Sequence, residues 1–202
     1  MGRIVSLCGR YLNAARHGAA ALIQSRAQGL PDWPPVWQDE DTPEWLEDFG
    51  ITPKQGVPLF PFNLNAIRAL ANKNLRDSSG QLTFNPRMVI NRILLDILRD
   101  CRVEAERGSF PPPNLASLTA DAEVQNKISQ LTTVRIPSAA SLAALWGYGY
   151  HSWDDVSKHL PSGVAKAFGL NELAEYLNGK TPEFTNVGNG PGKTIITDTV
   201  MP

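Results

Sequence analysis

The placement of proline and glycine limits what this chain can fold into more than any other feature. Sixteen prolines and sixteen glycines interrupt 202 residues. Proline lacks a backbone donor and clashes with the preceding turn, so it ends helices and stays out of central strands. Between residues 28 and 61 stand Gly29, Pro31, Pro34, Pro35, Pro43, Pro53, Pro58 and Pro61, and no long regular element can cross that stretch. Trp33, Trp37, Trp45 and Phe49 punctuate it. Aromatics at this density in a proline-rich segment predict a strap lying on an apolar surface rather than a free linker. Pro111-Pro112-Pro113 makes a second interruption. Short helices joined by long connections remain, so the expected fold class is mainly α.

Apolar periodicity places those helices. Over residues 3–27, Ile4, Leu7, Tyr11, Ala15, Leu22 and Ile23 fall roughly on one face, with Arg10, Arg16 and Arg26 elsewhere. A helix over 64–75 has Asn63 as N-cap and Ile67, Leu70 and Leu75 inward. Glu44–Phe49 reads as one helical turn after Thr42, and Asp77-Ser78-Ser79-Gly80 as a turn. The best-defined helix spans 86–106, its apolar face running from Val89 to Cys101 before Gly108 and the triple proline end it. Further helices are expected at 119–131, at 138–146 capped by Ser138, at 153–159 capped by Ser152, at 162–168, and at 171–177 capped by Asn171. Residues 194–200 are β-prone. The expected organisation is a lid-like helical unit with its Pro/Trp-rich strap at 1–107, a linker at 108–118, a small helical unit at 119–178, and a Gly-rich loop with a β-prone tail at 179–202.

Composition narrows the function classes. Hydrophobic residues make up 42% of the chain, slightly below the globular average and enough for a core. A net charge of −1 gives no general attraction to nucleic acid or lipid, so any such contact needs a local patch. Cys8 and Cys101 form neither a disulfide framework nor a metal site and fit a reducing compartment. The apolar stretch Ile4–Ile23 is broken by Arg10, Asn13, Arg16 and His17, too polar to span a bilayer or to act as a signal peptide. A cytoplasmic protein without a membrane partner is expected.

Gly188-Asn189-Gly190-Pro191-Gly192-Lys193-Thr194 imitates the end of a phosphate-binding loop. Val187 occupies the position of the first required glycine, and Pro191 removes an amide that would cradle an anion. A β-prone run follows where such a loop needs a helix, so a flexible loop is expected. His17, His151 and His159 have no metal-ligand spacing. No serine sits in a nucleophile elbow, and no carboxylate pair stands out. Neither a catalytic residue nor a metal ligand is assigned.

The residue that stands apart is Arg87. Asn85 can cap the helix and Pro86 suits its first position. Arg87 then lies in the first turn, where a cation opposes the helix dipole at a cost of about 0.3–1 kcal/mol. It reads either as a solvated surface arginine or as an anion sensor on a rigid helix start. Arg10, Arg16 and Arg92 are candidates for phosphate or partner contact, the alternative being the solvated side of amphipathic helices.

Three tracts together, Cys8-Gly9-Arg10-Tyr11-Leu12-Asn13-Ala14-Ala15-Arg16, Leu59-Phe60-Pro61-Phe62-Asn63 and Phe84-Asn85-Pro86-Arg87-Met88-Val89-Ile90-Asn91, resemble the helical lid of large bacterial P-loop (AAA-like) ATPases, nearest to those of DNA-modification and anti-phage defence systems. The resemblance covers roughly residues 3–105 and, weakly, Phe168-Gly169-Leu170. It implies a helical lid in which Arg87 senses the γ-phosphate. The chain carries neither Walker motif, so the resemblance implies a piece of such an ATPase, inert by itself, that meets ATP and Mg²⁺ only when joined to a nucleotide-binding core or another subunit, within a DNA-associated complex. A stand-alone helical module binding protein or nucleic acid is the alternative. Apolar surface on helix 3–27 and on the strap, without a full set of partners, would favour self-association.

Overall fold

A computed structural model describes residues 1–27, 34–38, 42–147 and 152–179. Helices dominate these residues, as the spacing of apolar side chains and breakers requires. Among them pairing between extended segments is limited to the isolated bridges Ile51–Pro58 and Arg76–Leu82. No described helix is long and apolar enough to cross a membrane. Trp33, His151, the Gly188–Thr194 loop and the β-prone run at 194–200 lie outside the described residues.

Helix α1 runs Gly2–Ala27 and changes direction at Gly18, whose φ of 76° takes it out of helical geometry. Ile4, Val5, Cys8 and Leu12 of its first half are buried. That half therefore finds partners within this chain, contrary to the expectation of an uncovered apolar face, while Ile23 beyond the bend is 70% exposed. The described piece of the strap is fastened to α1 by polar bonds. Asn13 donates from Nδ2 to the carbonyl of Pro35 (3.0 Å) and accepts at Oδ1 from the Trp37 amide (2.8 Å). Glu44–Phe49 forms a 3-10 turn.

Helix α2, Leu64–Asn74, starts where Asn63 Oδ1 accepts from the Ala66 amide at 2.8 Å. The expected helix over 86–106 is not continuous. It comprises α3 (Pro86–Val89), a π-helical segment (Ile90–Leu95), α4 (Asp96–Leu98) and, beyond a turn at Arg99–Cys101, α5 (Arg102–Glu106). Val89, Ile93, Leu94 and Ile97 are all buried, so the apolar face that marked the helix in the sequence is the face it buries.

The second group of helices is α6 (Ala122–Leu131), α7 (Ile136–Trp146), α8 (Trp153–His159), α9 (Ser162–Ala167) and α10 (Asn171–Leu177). Ser152 caps α8 as expected, accepting from the Asp155 amide. Two expected caps are corrected. Ser138 lies inside α7, which starts two residues earlier after Arg135 in left-handed geometry with Pro137 in its first turn, and Asn171 is the first helical residue of α10 rather than its cap. Pro137 explains the earlier start of α7, because proline is tolerated where the helix has no donor to lose.

Residues on both sides of 108–118 contribute to one buried apolar cluster. Helix α2 packs on α7, and the 3-10 turn packs on α9. An aromatic series joins them: Phe49–Phe60 (5.0 Å), Phe49–Phe168 (5.6 Å), Phe168–Phe110 (4.9 Å) and Phe168–Trp146 (5.1 Å between centroids), largely edge to face. Buried Trp146 donates its indole N–H to the Pro61 carbonyl at 2.9 Å, and Asn63 Nδ2 donates to the Trp146 carbonyl at 3.1 Å. Asn63 thus caps α2 with its oxygen and ties α7 to it with its nitrogen. Asp48 Oδ2 accepts from the Gly163 amide at 2.6 Å, closing the 3-10 turn against α9.

Candidate functional site

Two features stand out: the presentation of Arg87 at the start of α3, and a cationic cleft beside the first turns of α1. The chain leaves α2 through a tight turn in which Asp77 Oδ1 accepts from the Ser79 amide and hydroxyl and the Gln81 amide, at 2.9, 2.6 and 2.9 Å. These bonds, led by the Ser79 hydroxyl, hold the Asp77 carboxyl below the ordinary aspartate range. Thr83 returns to α2, donating its amide (2.8 Å) and its hydroxyl (2.9 Å) to the Leu75 carbonyl. Asn85 Oδ1 then accepts from the Met88 amide at 3.2 Å, and Pro86 opens the helix. Arg87 follows on a start fixed from both sides. Its side chain is exposed and makes no hydrogen bond, ion pair or ring contact with the described residues.

The second feature is a cleft of about 790 Å³ between the first turns of α1, the 53–55 turn, the start of α2 and residues 82–84. Arg3, Arg10, Lys54 and Arg68 line it, and no carboxylate does so among the described residues. Its apolar wall includes Leu7, Leu82 and Phe84, and Ser6 and Gln55 contribute neutral polar groups. The Arg3 guanidinium lies over the Phe84 ring, 4.2 Å from its centroid. The walls are held close. A Cβ on Gly9 would sit 2.3 Å from Thr52 Cγ2, and Gln55 Nε2 donates to Ser6 Oγ at 2.7 Å.

The four arginines singled out in the sequence separate into distinct roles. Arg10 lies in the cationic cleft, and Arg87 has no partner among the described residues on its helix start. Arg16 is occupied structurally: Nη1 donates to the Pro58 carbonyl (2.9 Å) and Nη2 to the Phe60 carbonyl (2.7 Å). Burial pushes its pKa down, yet a guanidinium remains charged throughout the accessible pH range. Arg92 pairs with Asp96 one turn on, at 3.6 Å and largely in solvent. Sequence reasoning did not bring Arg3, Lys54 and Phe84 together with Arg10. The seven-residue spacing of Arg3 and Arg10 on one helix face was a legible signal, whereas Lys54 reaches the cleft only through the tertiary fold.

A second cavity, about 720 Å³, is apolar and lined by Phe60, Phe110, Phe168 and Cys101 with Arg102 and Lys166. Burial, with Glu104 and Asp100 nearby, pushes the Cys101 thiol up to about 11, and burial pushes Cys8 up to about 12. Neither is a thiolate nucleophile at neutral pH. No group of acidic, histidine or cysteine side chains among the described residues could hold a metal ion. The cationic side chains of the first cleft suit recognition of an anion. No protein family, curated protein or solved structure shows significant similarity to this chain.

Proposed function

We propose that this chain is the helical lid of a P-loop ATPase and that Arg87 is its phosphate-sensing arginine. One observation carries the reading: an exposed arginine without a partner among the described residues, on a helix start immobilised by Asn85, Pro86 and the Asp77 turn. A preorganised cation of this kind costs little reorganisation when charge develops on a transferring phosphoryl group. The nucleotide-binding core supplies the phosphate-binding loop and Mg²⁺, and this chain supplies Arg87 and packing surface. Its setting on this reading is cytoplasmic and DNA-associated, and two buried free cysteines suit a reducing compartment.

The test is ATP turnover by the chain assembled with its nucleotide-binding core. Arg87→Ala lowers turnover by about 10²-fold, the effect of removing one fixed donor to a developing anion. Turnover unchanged by Arg87→Ala in the assembled enzyme, or ATP hydrolysis by the purified chain alone, refutes the reading. The rival reading, a helical module that binds nucleic acid, is favoured by the cationic cleft.

A further inference from the structure

We propose that the apolar cavity between α4–α5 and the α9–α10 junction binds a small apolar carboxylate, its hydrocarbon among Phe60, Phe110 and Phe168 and its carboxylate on Lys166. The inference stands independently of the ATPase reading, because it uses neither Arg87 nor the cationic cleft.

Shape comes first. The cavity holds about 720 Å³, within the roughly 300–1,000 Å³ typical of sites that enclose small molecules. Ile97, Leu98 and Cys101 line it from one group of helices, Ala167 and Phe168 from the end of α9. Phe60, Leu98, Ala167 and Phe168 pack on the core yet stay only half-buried. Apolar surface gathered in a concavity, rather than scattered singly, marks a binding site.

The aromatic wall is fixed in advance. Arg135 adopts a φ of 55°, in the left-handed region that a non-glycine residue enters at a cost. From there its guanidinium donates to the Phe168 carbonyl at 2.9 Å and to the Phe110 carbonyl at 2.5 Å. One side chain thus ties down the backbone behind both rings, and the rings themselves meet at 4.9 Å between centroids. A preformed wall has little left to order when a ligand arrives.

Charge then selects the ligand. Arg102 and Lys166 line the cavity, and no carboxylate does so among the described residues. Arg102 is engaged, its Nε donating to Glu106 Oε1 at 2.7 Å. Lys166 is exposed and makes no hydrogen bond, ion pair or ring contact with the described residues. Its methylene stem can lie along the apolar wall while the ammonium stays at the water boundary. Asn171, exposed at the same cavity, adds an amide donor. One ammonium and one amide suit a single carboxylate. A phosphate monoester carries nearly two charges and calls for more cations than Lys166 alone.

The experiment titrates octanoate into the full chain and follows methyl resonances by NMR. The shifts should centre on Ile97, Leu98 and Ala167. Decanoate should bind about 10-fold more tightly, because each methylene taken from water is worth about 4-fold. Lys166→Gln, a change at an exposed position, should weaken octanoate by about 5-fold, the upper range for an exposed ion pair. The same variant should alter the binding of octanol, the uncharged counterpart, by less than about 2-fold. Lys158→Gln removes an exposed lysine that does not line the cavity and should leave octanoate binding within about 2-fold. Any of four results overturns the proposal: no methyl shift with octanoate at about 5 mM, shifts centred on Leu7 and Leu82 of the cationic cleft, equal losses from Lys166→Gln and Lys158→Gln, or shifts of the cavity methyls on raising the protein concentration without ligand. The last would assign the cavity to a second copy of the chain.

Discussion

Arg16→Ala tests whether tertiary structure, rather than ligand chemistry, explains the most constrained arginine of α1. The guanidinium reaches the carbonyls of Pro58 and Phe60 at 2.9 and 2.7 Å, more than forty residues away in sequence. Both acceptors belong to the proline-rich connection, where the ladder of a helix or sheet is not available to occupy them. A hydrogen bond to a charged group contributes about 1.5–3 kcal/mol. Two would give about 3–6 kcal/mol if fully buried, but the side chain is half-buried and water can replace part of each bond after truncation. A loss of about 2–3 kcal/mol is expected. In a protein of this size that is a fall in Tm of roughly 5–10 °C. Urea denaturation followed by tryptophan fluorescence measures it, because Phe60 packs against Trp45 at 5.4 Å. Arg16→Lys should recover part of the loss, since an ammonium can serve one carbonyl but not span both. Stability of Arg16→Ala within about 0.5 kcal/mol of the parent, the norm for an unengaged surface residue, would show that the fork does not hold the connection, and would return Arg16 to the list of ligand contacts.

Other expectations are equally direct. Arg87→Ala in the isolated chain shifts stability by no more than about 0.5 kcal/mol, as a thermal melt would show; a much larger loss would mean the side chain anchors the fold, which its lack of a described partner argues against. Gly9→Ala places a Cβ 2.3 Å from Thr52 Cγ2 and should cost about 1–3 kcal/mol by overpacking, despite alanine's better helix propensity; a stabilised variant in chemical denaturation contradicts the close approach. Asp77 has a depressed folded pKa, so the stability it contributes is present above the ordinary aspartate pKa and is lost as pH falls through the lower, folded value. An NMR titration should find Asp77 ionised below the range of unperturbed aspartates, and Asp77→Asn should remove that part of the acid dependence. Both thiols should resist a maleimide at neutral pH until denaturant is added, given their burial and raised pKa values; rapid labelling of Cys101 in the native protein would show the apolar cavity opening to solvent.

The sequence by itself determined the helical class, the positions of most helices and three of their caps, because these depend on local physics. Apolar spacing, a short polar side chain ahead of a helix and proline in the first turn act within a few residues. Asn63, Asn85 and Ser152 cap their helices for that reason. The same local logic failed at Ser138, which lies inside α7 because Pro137 lets that helix open two residues earlier, and at Asn171, which is the first residue of α10 while Leu170 holds the cap position. It also missed the π-helical turn and the break that divide residues 86–106. Only the tertiary structure decided which arginines are spent and which are available. In the sequence both Arg16 and Arg87 are candidates for contact with an anion. One meets two carbonyls from a distant connection and the other meets none among the described residues. The cationic cleft was hidden for the same reason. Its members come from α1, a turn at 53–55, α2 and residues 82–84, and their convergence depends on packing contacts that no local pattern encodes.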